Sequence, residues 1–221
     1  MPQSHIEGYI QHPRTDLVML VDVMGTDYLR RVIKPWQALL RDGDIMLSNE
    51  ISALSVAQPE IVSIATPEKT HVGVFRQVLK VCRPVAIFME KPLAVTSAGC
   101  RSITEECERR GIVLAVNHSR AWDSDVRQMR PPATVEFGGR RWRNDVHAAH
   151  LSIMLGGGKM TQKEENGLWA DGEPMWGHVR KNVMVKAITD ILVAIETGKE
   201  PECDGRIGSR AVELTESFYS V

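Results

Sequence analysis

Between Asp16 and His118, short runs rich in β-branched residues alternate with longer amphipathic segments, and turn residues stand at the joints. No other feature of the chain constrains the fold as much, because this is the pattern of successive βαβ units around a parallel sheet. The predicted strands are LVMLVDV (17–23), DIMLS (44–48), EIVSIAT (60–66), PVAIFME (84–90) and IVLAVN (112–117). Helices are predicted around 26–40, 49–57, 70–81 and 97–110. The strands are apolar almost throughout, so helices must cover both faces of the sheet.

After Trp122 the pattern changes. ATVEF (133–137) is the one further strand predicted, and HAAHLSIML (147–155) has helical spacing. The Gly-rich, polar stretch 156–178 reads as a long loop. Two helices close the chain. Ile188, Ile191, Leu192 and Ile195 keep i, i+3, i+4, i+7 spacing before a stop at Gly198. Asp204 then caps a second helix whose apolar face holds Ala211, Leu214 and Phe218.

Composition narrows the class. The 221 residues carry a net charge of -1 with 43% hydrophobic residues, which fits one large or two small globular domains and offers no basic surface for nucleic acid. Apolar runs fall far short of the ~20 residues that span a bilayer, and MPQSHIEGYIQHPR has no signal-peptide core, so the expected location is the cytoplasm. Cys82, Cys100, Cys107 and Cys203 form no CxxC pair. Cys100 and Cys107 stand ~10 Å apart along a predicted helix, too far to bridge. All four read as reduced packing residues.

In an open α/β sheet, ligands bind outside the carboxyl ends of the strands. Three polar groups fall there: Asp22 after LVMLV, Thr66-Pro67 with His71 after EIVSIA, and Glu90-Lys91-Pro92 after PVAIFM. A carboxylate at the position of Asp22 can take the ribose hydroxyls of a dinucleotide, and it can equally be a turn residue. A lysine at a buried strand end is affordable when it faces a cleft holding a polar ligand, with Pro92 fixing the backbone that aims it; a surface charge pair is the plainer alternative.

Context separates these readings. The run PEIVSIATPEKTHVGVFRQVLKVCRPVAIFMEKPLAVTSAGCRSITEECERRGIVLAVNHSRAWD (59–123) strongly resembles the amino-terminal domain of the glucose–fructose oxidoreductase and inositol dehydrogenase family, Gfo/Idh/MocA. ATP-xxx-H, EKP and VNHSR follow strands in the family's order and spacing. HPRTDLVMLVDV (12–23) resembles the second Rossmann strand with its acidic end, and DILVAIETGKEPECDGRIGSRAVELTESFYS (190–220) resembles the family's closing helices.

The resemblance implies an NAD- or NADP-dependent dehydrogenase or reductase acting on a sugar, polyol or related hydroxy compound. It assigns cofactor contacts to Asp22, Thr66, Pro67, His71, Glu90, Lys91 and Pro92. Lys91 would also hydrogen-bond the reacting hydroxyl, and a later histidine would act as acid or base while hydride moves to or from the nicotinamide. An alcohol must lose a proton as its hydride leaves, which suits a near-neutral base beside a cation. By downstream rhythm that histidine is His147 in HAAHLSIMLGG. The family's D-x3-H aspartate is replaced by Arg143, and the nearest carboxylate is Asp145. His147 and His150 share a helix face and could instead ligate a metal, although no third ligand is evident. His118 would border the cleft. Asp22 favours NAD, since a carboxylate repels a 2′-phosphate, with Arg30 or Arg31 able to compensate.

Against the family pattern, the chain starts at what resembles the helix after the Gly-rich turn, and no G-x-G-x-x-G occurs in its first forty residues. The expected fold is therefore an α/β chain: an incomplete Rossmann-like parallel sheet at 1–122, then a reduced, mostly helical substrate part at 123–221. The missing strand would leave an open edge that invites a homo-oligomer or pairing with a full-length relative. The alternative function is that of an inactive, truncated family member.

Overall fold

The computed structural model describes residues 4–40, 45–139, 144–175 and 182–219; Asp44, Arg143 and 176–178, on which expectations above fell, lie outside them. The first half runs α1 (His5–Gln11), β1 (Met19–Val21), α2 (Thr26–Ile33), β2 (Met46–Ser48), α3 (Leu54–Ala57), β3 (Ile61–Ile64), α4 (His71–Val81), β4 (Ala86–Glu90), α5 (Ser97–Arg110) and β5 (Val113–Asn117). Every strand pair here is parallel, as the alternation requires. The strands form two sheets, β1-β2 and β3-β4-β5.

Local signals set the helix limits. Ser4 caps α1 by accepting from the Glu7 amide, within a Ser-x-x-Glu sequence. Thr96 caps α5, and Gly111 ends it in the left-handed conformation. The segment expected as one helix over 26–40 divides at Lys34-Pro35 into α2 and a 3₁₀ turn, because proline removes an amide donor.

β4 is the centre of its sheet. Ala86, Ile87, Phe88 and Met89 are all fully buried, which needs cover on both faces. That cover includes the closing helices α8 (Val183–Thr197) and α9 (Gly205–Tyr219), whose Met184, Ile191, Ala211 and Val212 belong to the same core as Ile64, Phe75 and Ile103. α8 packs beside α1, and α9 packs both on α5 and on the helix Asp145–Met154 of the second part. Gly198 stops α8 with φ +69°, and Asp204 Oδ1 accepts from Ile207 N as a cap. All four cysteines are free and buried.

The expectation of a loop over 156–178 is overturned. After the short helix α6 (Ser124–Arg127), β6 (Thr134–Gly138) pairs in parallel with β7 (Lys159–Gln162) across helix α7 (Asp145–Met154), and antiparallel with β8 (Gly167–Ala170), which pairs with β9 (Glu173–Pro174). Asp171 and Gly172, at φ 49° and 83°, form the two-residue turn between β8 and β9. Asp-Gly is a strong hairpin signal. It was hidden because β7 is polar and β8 is only four residues long. Val135, Phe137 and Leu168 pack on Leu151 of α7 in a second core. The second part of the chain thus carries a four-stranded mixed sheet among its helices.

Candidate functional site

The parallel register sets Glu90 of β4 opposite Asn117 of β5 at the carboxyl edge of the sheet. The first turn of α1 reaches this edge. His5 Nε2 lies 3.0 Å from Glu90 Oε1, and Asn117 Nδ2 donates to the same oxygen at 2.6 Å. His5 Nδ1 meets Ser63 Oγ at 3.0 Å, and Tyr9 Oη meets Ser63 Oγ at 2.9 Å. One donor order satisfies this chain: Tyr9 to Ser63, Ser63 to His5, and His5 to the carboxylate. Glu90 Oε2 also accepts from the Lys91 amide at 3.1 Å. Burial pushes the Glu90 carboxyl up, but the bonds from His5, Asn117 and the Lys91 amide outweigh it and hold the pKa below the usual value. Burial raises the Tyr9 hydroxyl to about 12, against the opposing bond to Ser63.

Glu90 is therefore an anchor that fixes the backbone from which Lys91 projects. Beneath it, His71 is fully buried, with Nδ1 2.9 Å from Pro92 O and Nε2 2.8 Å from Thr66 O. The ring ties the loop after β3 to the loop after β4. Thr66 is half-buried and Pro67 exposed at the mouth of those loops. Asp22 ends β1 in the other sheet, half-buried, with Oδ1 accepting from Met24 N at 2.8 Å.

A second cluster faces this edge. His118 stacks on His150 with centroids 4.2 Å apart and planes 10° from parallel, and meets His147 edge-on at 5.9 Å. His118 and His150 are buried and His147 is half-buried. Both ring nitrogens of His118, and Nδ1 of His147 and of His150, are buried without a hydrogen-bond partner among the described residues. His150 Nε2 lies 3.6 Å from the Cys203 thiol. Arg120, 5% exposed, donates through Nη2 to Met175 O at 3.3 Å, and its Nε is unpartnered among the described residues. Asp145, also buried, accepts from the Tyr219 hydroxyl at 3.1 Å.

Burial sets the protonation of this cluster. It holds His118 and His147 well below the ordinary imidazole value, with the charges of Lys91 and Arg120 and the neighbouring imidazoles adding to the effect. Burial and Arg120 take His150 down to about 3. At neutral pH the three rings are uncharged. Burial also lowers Arg120 to about 10, opposed by Asp123.

Lys91 and His147, both singled out in the sequence, are thus electrostatically coupled. Sequence reading missed His5, Ser63, Asn117 and Arg120. Asn117 had the same signal as Glu90, a polar residue at a strand end; His5 had none, because its partner is 85 residues away. Among the described residues no group of three or more His, Cys, Asp or Glu side chains is arranged to hold a metal ion. A cavity of about 330 Å³ lined by Thr104, Glu108, Leu114, Asp204 and Arg206 opens at the amino ends of the strands, away from all these groups.

A parallel α/β sheet with a lysine and an acidic anchor at its carboxyl edge is a frame in which nucleotides are commonly bound. The family model described as "Oxidoreductase family, NAD-binding Rossmann fold", GFO_IDH_MocA, matches residues 2–118, and the chain belongs to that family. It is 28% identical over 126 residues to D-apiose dehydrogenase of Paraburkholderia graminis, a match covering 56% of this chain and 31% of that protein. Its fold is similar to that of aldose-aldose oxidoreductase from Caulobacter crescentus complexed with glycerol, at TM-score 0.71 and 15% identity over 96% of this chain and 90% of that one. UDP-N-acetylglucosamine 3-dehydrogenase GnnA from Acidithiobacillus ferrooxidans gives TM-score 0.68 at 16% identity, covering 96% and 91%. In the described residues no helix is long and apolar enough to cross a membrane.

Proposed function

We propose that the chain is a nicotinamide-dependent dehydrogenase or reductase that acts on a hydroxyl group of a sugar, polyol or related compound, using Lys91 and His147. The observation that supports it most is the position of Lys91, on a backbone anchored through Glu90 and coupled in charge to a half-buried, neutral His147. The residues fit the cofactor. Asp22 offers a half-buried carboxylate to ribose hydroxyls, and Asn117 Oδ1 is a buried acceptor without a partner among the described residues. Thr66 and Pro67 line the mouth beside Glu90, Lys91 and Pro92, while His71 braces the loops from behind. NAD is preferred to NADP because the Asp22 carboxylate repels a 2′-phosphate, and of the two nearby arginines, Arg30 and Arg31, the first pairs with Asp27 at 2.7 Å. When bound, the cofactor supplies the hydride acceptor or donor.

The protein's own residues handle the proton. Lys91 donates a hydrogen bond to the reacting oxygen and favours its anionic form, and His147 takes the proton. Asp145, held by Tyr219, positions the first turn of α7 that carries His147. Residues 1–122 serve as the cofactor-binding part and 123–221 as the substrate side. Four buried thiols fit a reducing cytoplasm. The outer edges of β1 and β3 are where a second copy or a full-length relative would join.

The test is NAD-dependent turnover of a sugar and polyol panel by the wild type and by Lys91→Ala. The variant is expected to keep the wild-type melting temperature and lose at least 100-fold in kcat/KM. Unchanged turnover in the variant would contradict the assignment.

A further inference from the structure

One ring of α1 meets all three strands of the β3-β4-β5 sheet at its carboxyl edge. His5 Nδ1 faces Ser63 Oγ of β3 at 3.0 Å, Nε2 faces Glu90 Oε1 of β4 at 3.0 Å and Asn117 Nδ2 of β5 at 3.2 Å, and the ring lies on Phe88 with centroids 4.4 Å apart. The neighbours leave this imidazole one tautomer. Tyr9 is buried, and burial raises its hydroxyl to about 12 against the opposing bond to Ser63, so it remains a donor, with Ser63 Oγ 2.9 Å away. Ser63 then turns its own proton to His5 Nδ1, and Nε2 carries the proton that the carboxylate accepts. Glu90 Oε1 also accepts from Asn117 Nδ2 at 2.6 Å, and Oε2 accepts from the Lys91 amide at 3.1 Å. The other tautomer would set a nitrogen lone pair against a carboxylate oxygen, and removal of the ring would leave a partly buried charge short of a donor. Either change lets the carboxylate turn and release the Lys91 amide.

Resting on the oxidoreductase reading above, we propose that His5 is a positioning residue for the reaction: through Glu90 it holds the backbone that aims Lys91 at the reacting hydroxyl, and Tyr9 and Ser63 serve it by fixing its tautomer. His5 acts through Glu90 and takes no proton from the substrate. Its own place is set by α1, which Gly8 allows to approach Met184 and Ile188 of α8. The lysine is thus aimed by the docking of the first helix on one of the last.

The experiment compares the full chain with His5→Phe, which keeps a ring against Phe88 and removes both bonds, with His5→Gln, which keeps a donor and an acceptor, and with Ser63→Ala, which frees the tautomer. With NAD and the sugar and polyol panel, kcat should fall at least tenfold in His5→Phe while KM and the NAD dissociation constant stay within threefold. His5→Gln should recover at least threefold of that loss, and Ser63→Ala should lie between. A folded His5→Phe with wild-type kcat would overturn the inference and leave the oxidoreductase reading standing. A second readout needs no turnover. Acylation of Lys91 by N-hydroxysuccinimidyl acetate, measured by peptide mass spectrometry against the exposed Lys199, should change at least threefold in His5→Phe, and an unchanged ratio would overturn the inference even if the wild type oxidises nothing. Should His5→Phe fail to fold, the ¹⁵N imidazole spectrum of the wild type decides: His5 protonated at Nε2 is expected, and protonation at Nδ1 alone would overturn the role.

Discussion

His118 and His150 are residues that stability alone would not choose. A buried polar group without a partner costs about 1–3 kcal/mol, and His118 has two such nitrogens among the described residues. His118→Leu should therefore keep or raise stability at pH 7. The cluster also makes stability depend on pH, with a definite sign. An imidazole whose folded pKa is depressed is protonated in the unfolded chain first, so its contribution is lost as pH falls below the unfolded value of about 6.5. For His150 the loss continues down to about 3, and His118 and His147 act in the same direction. The slope approaches about 1.4 kcal/mol per pH unit for each ring involved. Glu90, with its depressed carboxyl, loses its contribution only in the more acidic range below the usual carboxylate value. Urea titrations between pH 7 and 5 should show falling stability, with a shallower slope in His118→Leu. A flat profile in the wild type would contradict the burial of neutral imidazoles.

At the scale of elements, the site depends on how closely α9 approaches β5. A Cβ on Gly208 would sit 2.6 Å from Val116 Cγ2, and a Cβ on Gly73, in the first turn of α4, would meet nothing within 4 Å. Alanine gains about 1 kcal/mol over glycine within a helix, while overpacking costs about 1–3 kcal/mol. Gly73→Ala should therefore stabilise by about 0.5–1 kcal/mol and Gly208→Ala should destabilise, which paired denaturant titrations would show. The five parallel strands were legible in the sequence because unbroken apolar runs such as AIFM admit few other settings. The strand-end residues Asp22, Thr66, Glu90 and Lys91 were legible for the same reason, since a parallel sheet gathers its carboxyl ends. The sheet containing β7, β8 and β9 was not. β7, β8 and β9 are two to four residues long, and β7 pairs with a strand that lies before α7 in the chain. The network of His5 was equally hidden, because helical spacing tells which face of α1 is buried but not which carboxylate it meets.

For the whole molecule, the two ends of the chain close over one core. α1 packs beside α8, where Gly8 allows the approach to Met184 and Ile188, and His12 Nε2 lies 3.1 Å from Thr189 Oγ1. α8 and α9 thus lock the sheet that carries Glu90 and Asn117, and Phe218 of α9 reaches Phe137 in the second core at 5.1 Å between ring centroids. The carboxyl edge of the sheet and the histidine cluster are held by the same helices, so a ligand that binds the folded edge should stabilise the molecule as a unit. The most direct measurement is a thermal melt of the full chain with increasing NAD or NADP. A ligand at about 100 times its dissociation constant adds about 2.7 kcal/mol, or roughly 5–10 °C for a chain of this size. The expected result is a cooperative transition whose midpoint rises with NAD at lower concentrations than with NADP. A cooperative transition that neither nucleotide moves would contradict the proposal that this chain works as a nicotinamide-dependent oxidoreductase.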